Sequence, residues 1–322
     1  MSELLAPIKN AINLLDNNLN QKDLIKKRGP GRPPKVRQIN DVTKNQGIVD
    51  TPFNKQNTME LIYNKPEVFK NLFIYFKNLK TKMLLIRCDK KGLTFFTQDQ
   101  SGISKIIVKI SGDKTTHYFC AADCWIIINR QHVEKVFSSI DKSVDEIIMT
   151  FNTDNNEYVN IIFIDKELDK ECTYQINTSY QIPDPELIAL EQYILSDMEI
   201  AKHFPLRWVL TSKQFKKTFN DAVSNKAEKI SIEKYKGAPL KLSYTKIHQM
   251  IYSEVYKSSG KIELETTGSP NLLVFQVKTY NLRSLAAAMI TNKVSLLCRD
   301  DGDVLVESSD EDVKIYTFVK GS

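Results

Sequence analysis

The chain has 322 residues and a mass of 37.0 kDa, enough for two domains that each bury most of their apolar surface without disulfides or metals. With 42% hydrophobic and 26% charged residues, the composition excludes a fibrous, membrane-embedded or wholly disordered protein. The net charge of +6 is concentrated in residues 1–57, which hold ten Lys and Arg against five Asp and Glu. The remaining residues are almost neutral, so they can bind a polyanion only where lysines collect on one surface.

The chain begins with a basic tail. Residues 2–19 carry apolar side chains at helical spacing, interrupted by Pro7, which indicates a short amphipathic helix. Residues 20–57 show no periodicity and are rich in Gly, Pro, Lys, Asn and Gln, which is typical of disorder. We therefore expect residues 1–57 to form a disordered basic tail.

A long internal repeat follows. Residues 68–73 align with residues 214–219 at an offset of 146, and the register continues without gaps through Lys80 and Lys226. A repeat of this length indicates two similar halves. We predict one domain over residues 58–180, an acidic connector over 181–204 and a second domain over 205–322.

Each half is predicted to be mostly sheet with two helices. A short strand (60–63; 207–210) leads into an amphipathic helix (66–80; 212–224), and alternating strands with tight turns follow. A second helical pattern occurs at 129–140 and again at 281–291. This order predicts an α+β fold in which the helices collect on one face of the sheets.

The polar faces of these helices are basic. Charged helix faces are commonly no more than solvated surface, but lysines on two related helices favour a shared face that meets phosphate. The predicted DNA-binding residues are Lys70, Lys77, Lys80, Arg130 and Lys135 in the first half, and Lys213, Lys216, Lys217 and Arg283 in the second.

Several segments resemble one known family. Residues 28–35, 69–80, 169–176, 205–208 and 211–219 are similar to the sliding clamps of DNA replication, of the proliferating-cell-nuclear-antigen (PCNA) type, and above all to the clamp-like proteins of asfarvirus-type large DNA viruses. The resemblance implies a DNA clamp fold: two similar domains, each with antiparallel sheets outside and two helices inside, in a closed ring of three subunits around duplex DNA. It further implies a processivity factor for DNA polymerase that is not an enzyme, needs no cofactor or metal, and works at the virus replication site in the host cytoplasm, with the host nucleus as the alternative.

The resemblance also implies partners. DNA polymerase and other replication and repair factors would insert short peptides beneath the interdomain connector. The pocket expected by position comprises Ile103, Leu187, Ile188, Tyr316 and Val319. Ring closure would pair a strand near residues 158–164 with one near residues 250–256 of the next subunit.

The tail contains a second resemblance. Residues 26–35 are similar to an AT-hook, whose extended Gly-Arg-Pro centre lies in the narrow minor groove of A·T-rich DNA. The residues expected to contact DNA are Arg28, Gly31, Arg32, Pro33 and Lys35. A solvated linker and a nuclear-localisation patch are the alternatives.

Other functions have weaker support. An AT-hook-containing architectural DNA-binding protein without ring formation is one alternative, and a metal-dependent nuclease built on the acidic runs 300–303 and 309–312 is another. No phosphate-cradling glycine motif is present, and the four histidines are isolated. Cys120 and Cys124 lack a second cysteine or histidine pair at zinc spacing, so buried reduced thiols are expected. No apolar stretch approaches the roughly 20 residues that span a bilayer, so no membrane partner is predicted.

Overall fold

The computed structural model describes residues 47–141, 143–179, 185–194, 203–235, 238–245, 251–256, 262–263, 272–279, 282, 285, 291–299 and 301–321. The AT-hook-like motif, the amphipathic segment 2–19 and Arg283 lie outside these residues.

The first half contains nine strands and two helices in the described residues. In chain order they are β1 (Met59–Tyr63), α1 (Pro66–Asn78), β2 (Met83–Asp89), β3 (Gly92–Gln98), β4 (Ser104–Ser111), β5 (His117–Cys120), β6 (Cys124–Asn129), α2 (Arg130–Ser138), β7 (Glu146–Asn152), β8 (Asn155–Asp165) and β9 (Lys170–Asn177). A short 3₁₀ helix (Gly112–Lys114) precedes β5.

A connecting helix and the second half follow. The elements are α3 (Pro185–Ile194), β10 (Leu206–Thr211), α4 (Ser212–Ser224), β11 (Lys229–Tyr235), β12 (Leu240–Thr245), β13 (Ile251–Tyr256), β14 (Ile262–Glu263), β15 (Leu272–Lys278), β16 (Lys293–Cys298), β17 (Val304–Ser309) and β18 (Val313–Val319).

The two halves have the same strand connectivity. In the first, the antiparallel sheets run β5-β1-β7-β8-β9 and β6-β2-β3-β4; in the second, β14-β10-β16-β17-β18 and β15-β11-β12-β13. Pairing of β18 with β4 merges one sheet from each half into a nine-stranded sheet. The predicted α+β fold of two similar halves is therefore confirmed.

The first helix of each half ends in the same way. Lys80 and Lys226, which are 146 residues apart, both take a left-handed φ of 55°. The next backbone N–H then reaches back to the helix, from Thr81 to the Phe76 carbonyl at 3.2 Å and from Ala227 to the Ala222 carbonyl at 3.0 Å. This is the hydrogen bond of a left-handed helix C-cap.

Aromatic side chains pack the two helices of the first half against each other. Phe73 of α1 stacks on Phe137 of α2 with ring centroids 4.3 Å apart, and Phe69 stacks on the same ring at 5.6 Å. All three rings are almost completely buried. Burial of each ring contributes about 1.5–3 kcal/mol to stability. The apolar faces of α1 and α2 therefore turn inward, and their polar faces lie toward solvent.

The strand expected to pair with the next subunit is not an edge strand. The strand over 158–164 lies inside β8, which pairs with β7 and β9 and so has no free edge. Among the described strands, β9 in the first half and β13 in the second are edge strands, as are β5, β6, β14 and β15. Hydrophobic alternation identified these strands but does not report their order in a sheet.

Residues 47–57, expected to be disordered, are tied to the first sheet. Val49 N–H donates to the Tyr118 carbonyl at 2.9 Å. The fully buried Glu60 carboxylate accepts the N–H groups of Phe53 and Asn54 at 2.8 and 2.9 Å, and the Asn57 side-chain amide at 2.8 Å. Composition could not show this anchor, because its acceptor lies in β1.

The Glu60 anchor is testable. Glu60→Gln replaces one acceptor oxygen by an NH₂ group that faces donors, and each buried donor left without an acceptor costs about 1–3 kcal/mol. We expect faster amide hydrogen exchange over residues 53–57. Glu157→Gln, at an exposed position of β8, is the matched control, and equal exchange in both variants would contradict the anchor.

Candidate nucleic-acid interface

Helix α4 presents free lysines to solvent. Its start is fixed by a capping box, in which the Thr211 hydroxyl accepts the Gln214 N–H and the Gln214 side chain accepts the Thr211 N–H. Lys213 and Lys217 follow one turn apart on the exposed face, and Lys216 is half-buried beside them. None of these three lysines has an ion-pair partner among the described residues.

Three of the predicted cations of α1 and α2, Lys70, Lys77 and Arg130, are bound by groups of the same domain. The Lys70 ammonium donates to the Ile140 carbonyl at 2.6 Å. Lys77 pairs with Glu134 at 2.7 Å, and Arg130 pairs with the same carboxylate while donating to the Thr81 carbonyl at 2.7 Å. Lys80 and Lys135 are exposed, and neither forms an ion pair within the described ranges.

Glu134 offsets part of the positive charge on this face. The hydrogen bond from Lys77, with the nearby Arg130 charge, holds the pKa of Glu134 below its usual range. The exposed stripe of α1 also contains Glu67, Asn71 and Ile74. Helix α4 also carries one exposed acid, Asp221. In the described residues, α4 still offers more unpaired positive charge to a phosphate backbone than α1 does.

The Lys77–Glu134 pair can be tested by titration. Lys77→Met removes the main cause of the lowered pKa, so the pKa of Glu134 should rise toward its ordinary value. NMR titration of the Glu134 carboxyl measures this directly. Lys80→Met is the control because Lys80 forms no ion pair with Glu134, and an unchanged Glu134 pKa in Lys77→Met would rule out the pairing in solution.

The offset of 146 matches only some of the lysines. Lys70 corresponds to Lys216, and Lys80 to Lys226, whereas Lys77 corresponds to Val223. Lys226 is exposed at the left-handed turn after α4 and was not among the predicted contact residues. The alignment of Lys226 with Lys80 was the signal that could have identified it.

The predicted pocket residues separate into two groups. Leu187 and Tyr316 belong to one apolar cluster on the outer face of the nine-stranded sheet, and Ile188 is half-buried beside Leu187 on α3. Val319 lies in the main core, and Ile103 packs against that core. Side chains alternate along a strand, so Val319 and Tyr316 point to opposite faces of β18.

The acidic runs have structural contacts. Asp301 and Asp303 pair with Arg299, Asp310 accepts the N–H groups of its own turn, and Asp312 pairs with Lys65 at 2.9 Å. Among the described residues, no group of three or more His, Cys, Asp or Glu side chains is arranged to hold a metal ion. Cys120 and Cys124 are buried free thiols. Among the described helices, none is long and apolar enough to cross a membrane.

Several known proteins are similar to this chain in sequence and in fold. A protein of African swine fever virus, whose name describes it only as uncharacterized, is 44% identical over 295 residues, which is 91% of this chain and 96% of that protein. The family model "Proliferating cell nuclear antigen, N-terminal domain" matches residues 58–182. The chain belongs to the PCNA-like clamp family.

Two more distant PCNA-like proteins agree with this assignment. "Proliferating cell nuclear antigen 2" of Plasmodium falciparum is 29% identical over 101 residues, which is 31% of this chain and 38% of that protein. The crystal structure of proliferating cellular nuclear antigen from Entamoeba histolytica superposes with a TM-score of 0.64 at 16% identity, over 83% of this chain and 99% of that chain. PCNA-like clamps are non-enzymatic scaffolds that bind DNA and replication partners.

Proposed function

We propose that this protein is a sliding clamp that closes head to tail into a ring around duplex DNA and acts as a processivity factor for DNA polymerase. In this role it tethers replication and repair proteins and catalyses no reaction itself. The resemblance to PCNA sets the expected ring at three subunits.

The observation that carries the proposal is the pair of free sheet edges. Within the chain, β4 of the first half pairs with β18 of the second. The repeat counterparts of these two strands are β13 and β9. Each is the last strand of its sheet and pairs with one neighbour only among the described strands, β12 and β8 respectively. A second copy can therefore repeat at β9 and β13 the junction that the chain makes internally, and a head-to-tail contact of this kind forms a ring when its rotation closes.

The composition of the free edge supports this pairing. Ile251 and Val255 on β13 are 79% and 53% exposed. An uncovered apolar edge strand invites association. Pairing with β9 of a neighbour would cover β13 and satisfy its free backbone groups.

The repeat also predicts which residues would meet. Leu61 and Trp208 are the middle core-facing residues of the first strand in each half. Following strand partners across the sheets from them places Tyr174 of β9 where Thr317 of β18 lies. Ile86 and Ile232, which are 146 residues apart, lead in the same way to Val108 of β4 and Glu254 of β13, so Tyr252 corresponds to Ile106. Because Thr317 pairs with Ile106, Tyr174 should meet Tyr252 of the next subunit, and Cys172 should meet Glu254.

The lysines suit a clamp that must move along DNA. Lysine binds phosphate as a mobile point charge, and phosphate contacts carry no sequence information. Exposed Lys213, Lys217, Lys80 and Lys226 would give affinity without base recognition.

Retention on circular DNA tests the proposed function. Full-length protein loaded on nicked circular DNA should stay bound through a high-salt wash and should be released when one cut linearises the circle. It should also lengthen the products of a polymerase that binds it. Equal release from circular and linear DNA would contradict encirclement.

We propose that the tail adds DNA contacts of its own. A variant lacking residues 1–46 should retain topological binding to circles while losing affinity at low salt, because fewer counterions are released. An architectural protein that only coats DNA would instead lose its DNA function with the tail.

A further inference from the structure

A second apolar cluster lies on the outer face of the nine-stranded sheet, away from the main core. It is formed by side chains of both halves together with residues of α3 and the segment after it: Leu85, Phe96, Ile107, Ile127, Leu187, Ile194, Phe204, Leu297 and Leu305. Tyr316 and Phe318 pack at its margin. Helix α3 therefore lies on this sheet face at the junction of the two halves.

One face of α3 makes most of these contacts. Leu187, Leu190 and Ile194 lie at positions i, i+3 and i+7, which share one face of a helix. Glu191 lies on the same face at i+4. Pro185 and Gln192 are exposed. Beside the stripe, the exposed Glu186 pairs with Lys105 of β4 and Tyr193 packs against the cluster, so the stripe makes most but not all of the contacts of α3.

Glu191 gives the stripe a charged centre. Its side chain is only 3% exposed. Arg87 donates to both carboxylate oxygens at 2.7 and 2.8 Å, and the Lys109 ammonium approaches at 2.6 Å. The Arg87 guanidinium also lies 5.5 Å from the ring centroid of Phe96. Arg87 Nε also lies 3.4 Å from the Asp89 carboxylate of the same strand. The sheet therefore presents two cations and one carboxylate among apolar side chains, and Glu191 of α3 offsets the remaining positive charge.

The attachment of α3 is suited to exchange. A helix of ten residues is marginal on its own, because isolated helices shorter than about 12–15 residues are barely stable in water. Its order in this chain therefore depends on the stripe contacts. Removal of α3 would expose an apolar strip with Arg87 and Lys109 at its centre, which is a site for another helix of the same chemistry.

We propose that α3 is a resident ligand of the partner-docking face and that partner segments bind by replacing it. The partner segment is an amphipathic helix with apolar residues at i, i+3 and i+7 and a carboxylate at i+4, which copies the stripe of α3. This rests on the proposed function only in assuming that partners dock on the outer face. It adds a competitor within the chain and a requirement for an acidic residue.

A peptide binding experiment tests the proposal on the full-length chain without DNA or polymerase. The probe is a fluorescent peptide with the sequence of residues 183–196, and the protein carries Leu187→Ser and Ile194→Ser to release α3. The released protein should bind the probe at least about tenfold more tightly than the unaltered chain, whose site is occupied. A probe carrying Glu191→Lys should lose at least about tenfold in affinity.

Equal probe affinity for the released and unaltered chains, or equal affinity of both probes for the released chain, would overturn the proposal. Neither result depends on ring assembly or DNA retention, so a failure here is distinct from a failure of the clamp function.

A second variant keeps the test independent of the serine substitutions. Glu191→Gln preserves the shape of the stripe and removes its charge. Amide hydrogen exchange should become at least about tenfold faster over residues 187–194, because local opening sets that rate, while the β4 amides remain as protected as before. Unchanged exchange in α3 would overturn the role of Glu191.

Discussion

Oxidation of a Glu254→Cys variant is expected to join subunits covalently through the natural Cys172. The repeat places position 254 of β13 opposite Cys172 of β9 in the next subunit, with both side chains on the core-facing side of their strands. Directly opposed residues of antiparallel strands have Cα atoms about 4.5–5.5 Å apart, which is within the range of a disulfide. A closed ring should give one fully linked species that denaturing gel electrophoresis resolves.

The controls for this prediction lie in the same two strands. Ser253→Cys and Val255→Cys place thiols on the opposite face of β13 and should not link efficiently. Adding Cys172→Ser to Glu254→Cys should abolish the product, since the four natural cysteines other than Cys172 are buried. If cysteine at positions 252, 254 and 256 all fail to link to Cys172, the proposed edge pairing is wrong.

Neutralising Lys213 and Lys217 on α4 is expected to have the largest effect on DNA association among the helix cations. Both lysines are exposed and unpaired in the described structure, so their charge is available to phosphate. The slope of log affinity against log salt changes by about 0.9 for each phosphate contact, and Lys213→Gln with Lys217→Gln should therefore reduce it by about 1.8. Fluorescence anisotropy with duplex DNA over a salt series measures the slope.

Two exposed lysines in the turn between β2 and β3 provide the matched control. Lys90→Gln with Lys91→Gln removes the same charge from a site outside the helices and should leave the slope nearly unchanged. The same slope in the α4 variant and the turn variant would mean that α4 is not the contact face.

Local sequence patterns were sufficient for the helices with strong amphipathic signals. The predicted helix 212–224 coincides with α4 (Ser212–Ser224), because the capping box and the Phe215 and Phe219 spacing are local. The predicted helix 66–80 is two residues longer than α1 (Pro66–Asn78), since Leu79 and Lys80 form the C-cap. The repeat identified both halves before any strand order was known.

Features that depend on distant partners could not be read in this way. The sequence predicted only an acidic connector over 181–204. The helix α3 within it packs on the sheet, where Arg87 of β2 and Lys109 of β4 bind Glu191. Likewise, the polar positions of Lys70 and Lys77 are evident from the sequence, but their contacts with Ile140 and Glu134 exist only in the folded protein. Whether a charged side chain is paired depends on tertiary contacts, which the hydrophobic periodicity of the sequence does not reveal.

The mass of the full-length protein in solution tests the ring most directly. Light scattering over a range of micromolar concentrations should show one species of three times 37.0 kDa, because β9 and β13 each pair with a neighbour. A species of 37.0 kDa at every concentration would mean that these edges stay unpaired, and it would contradict the clamp.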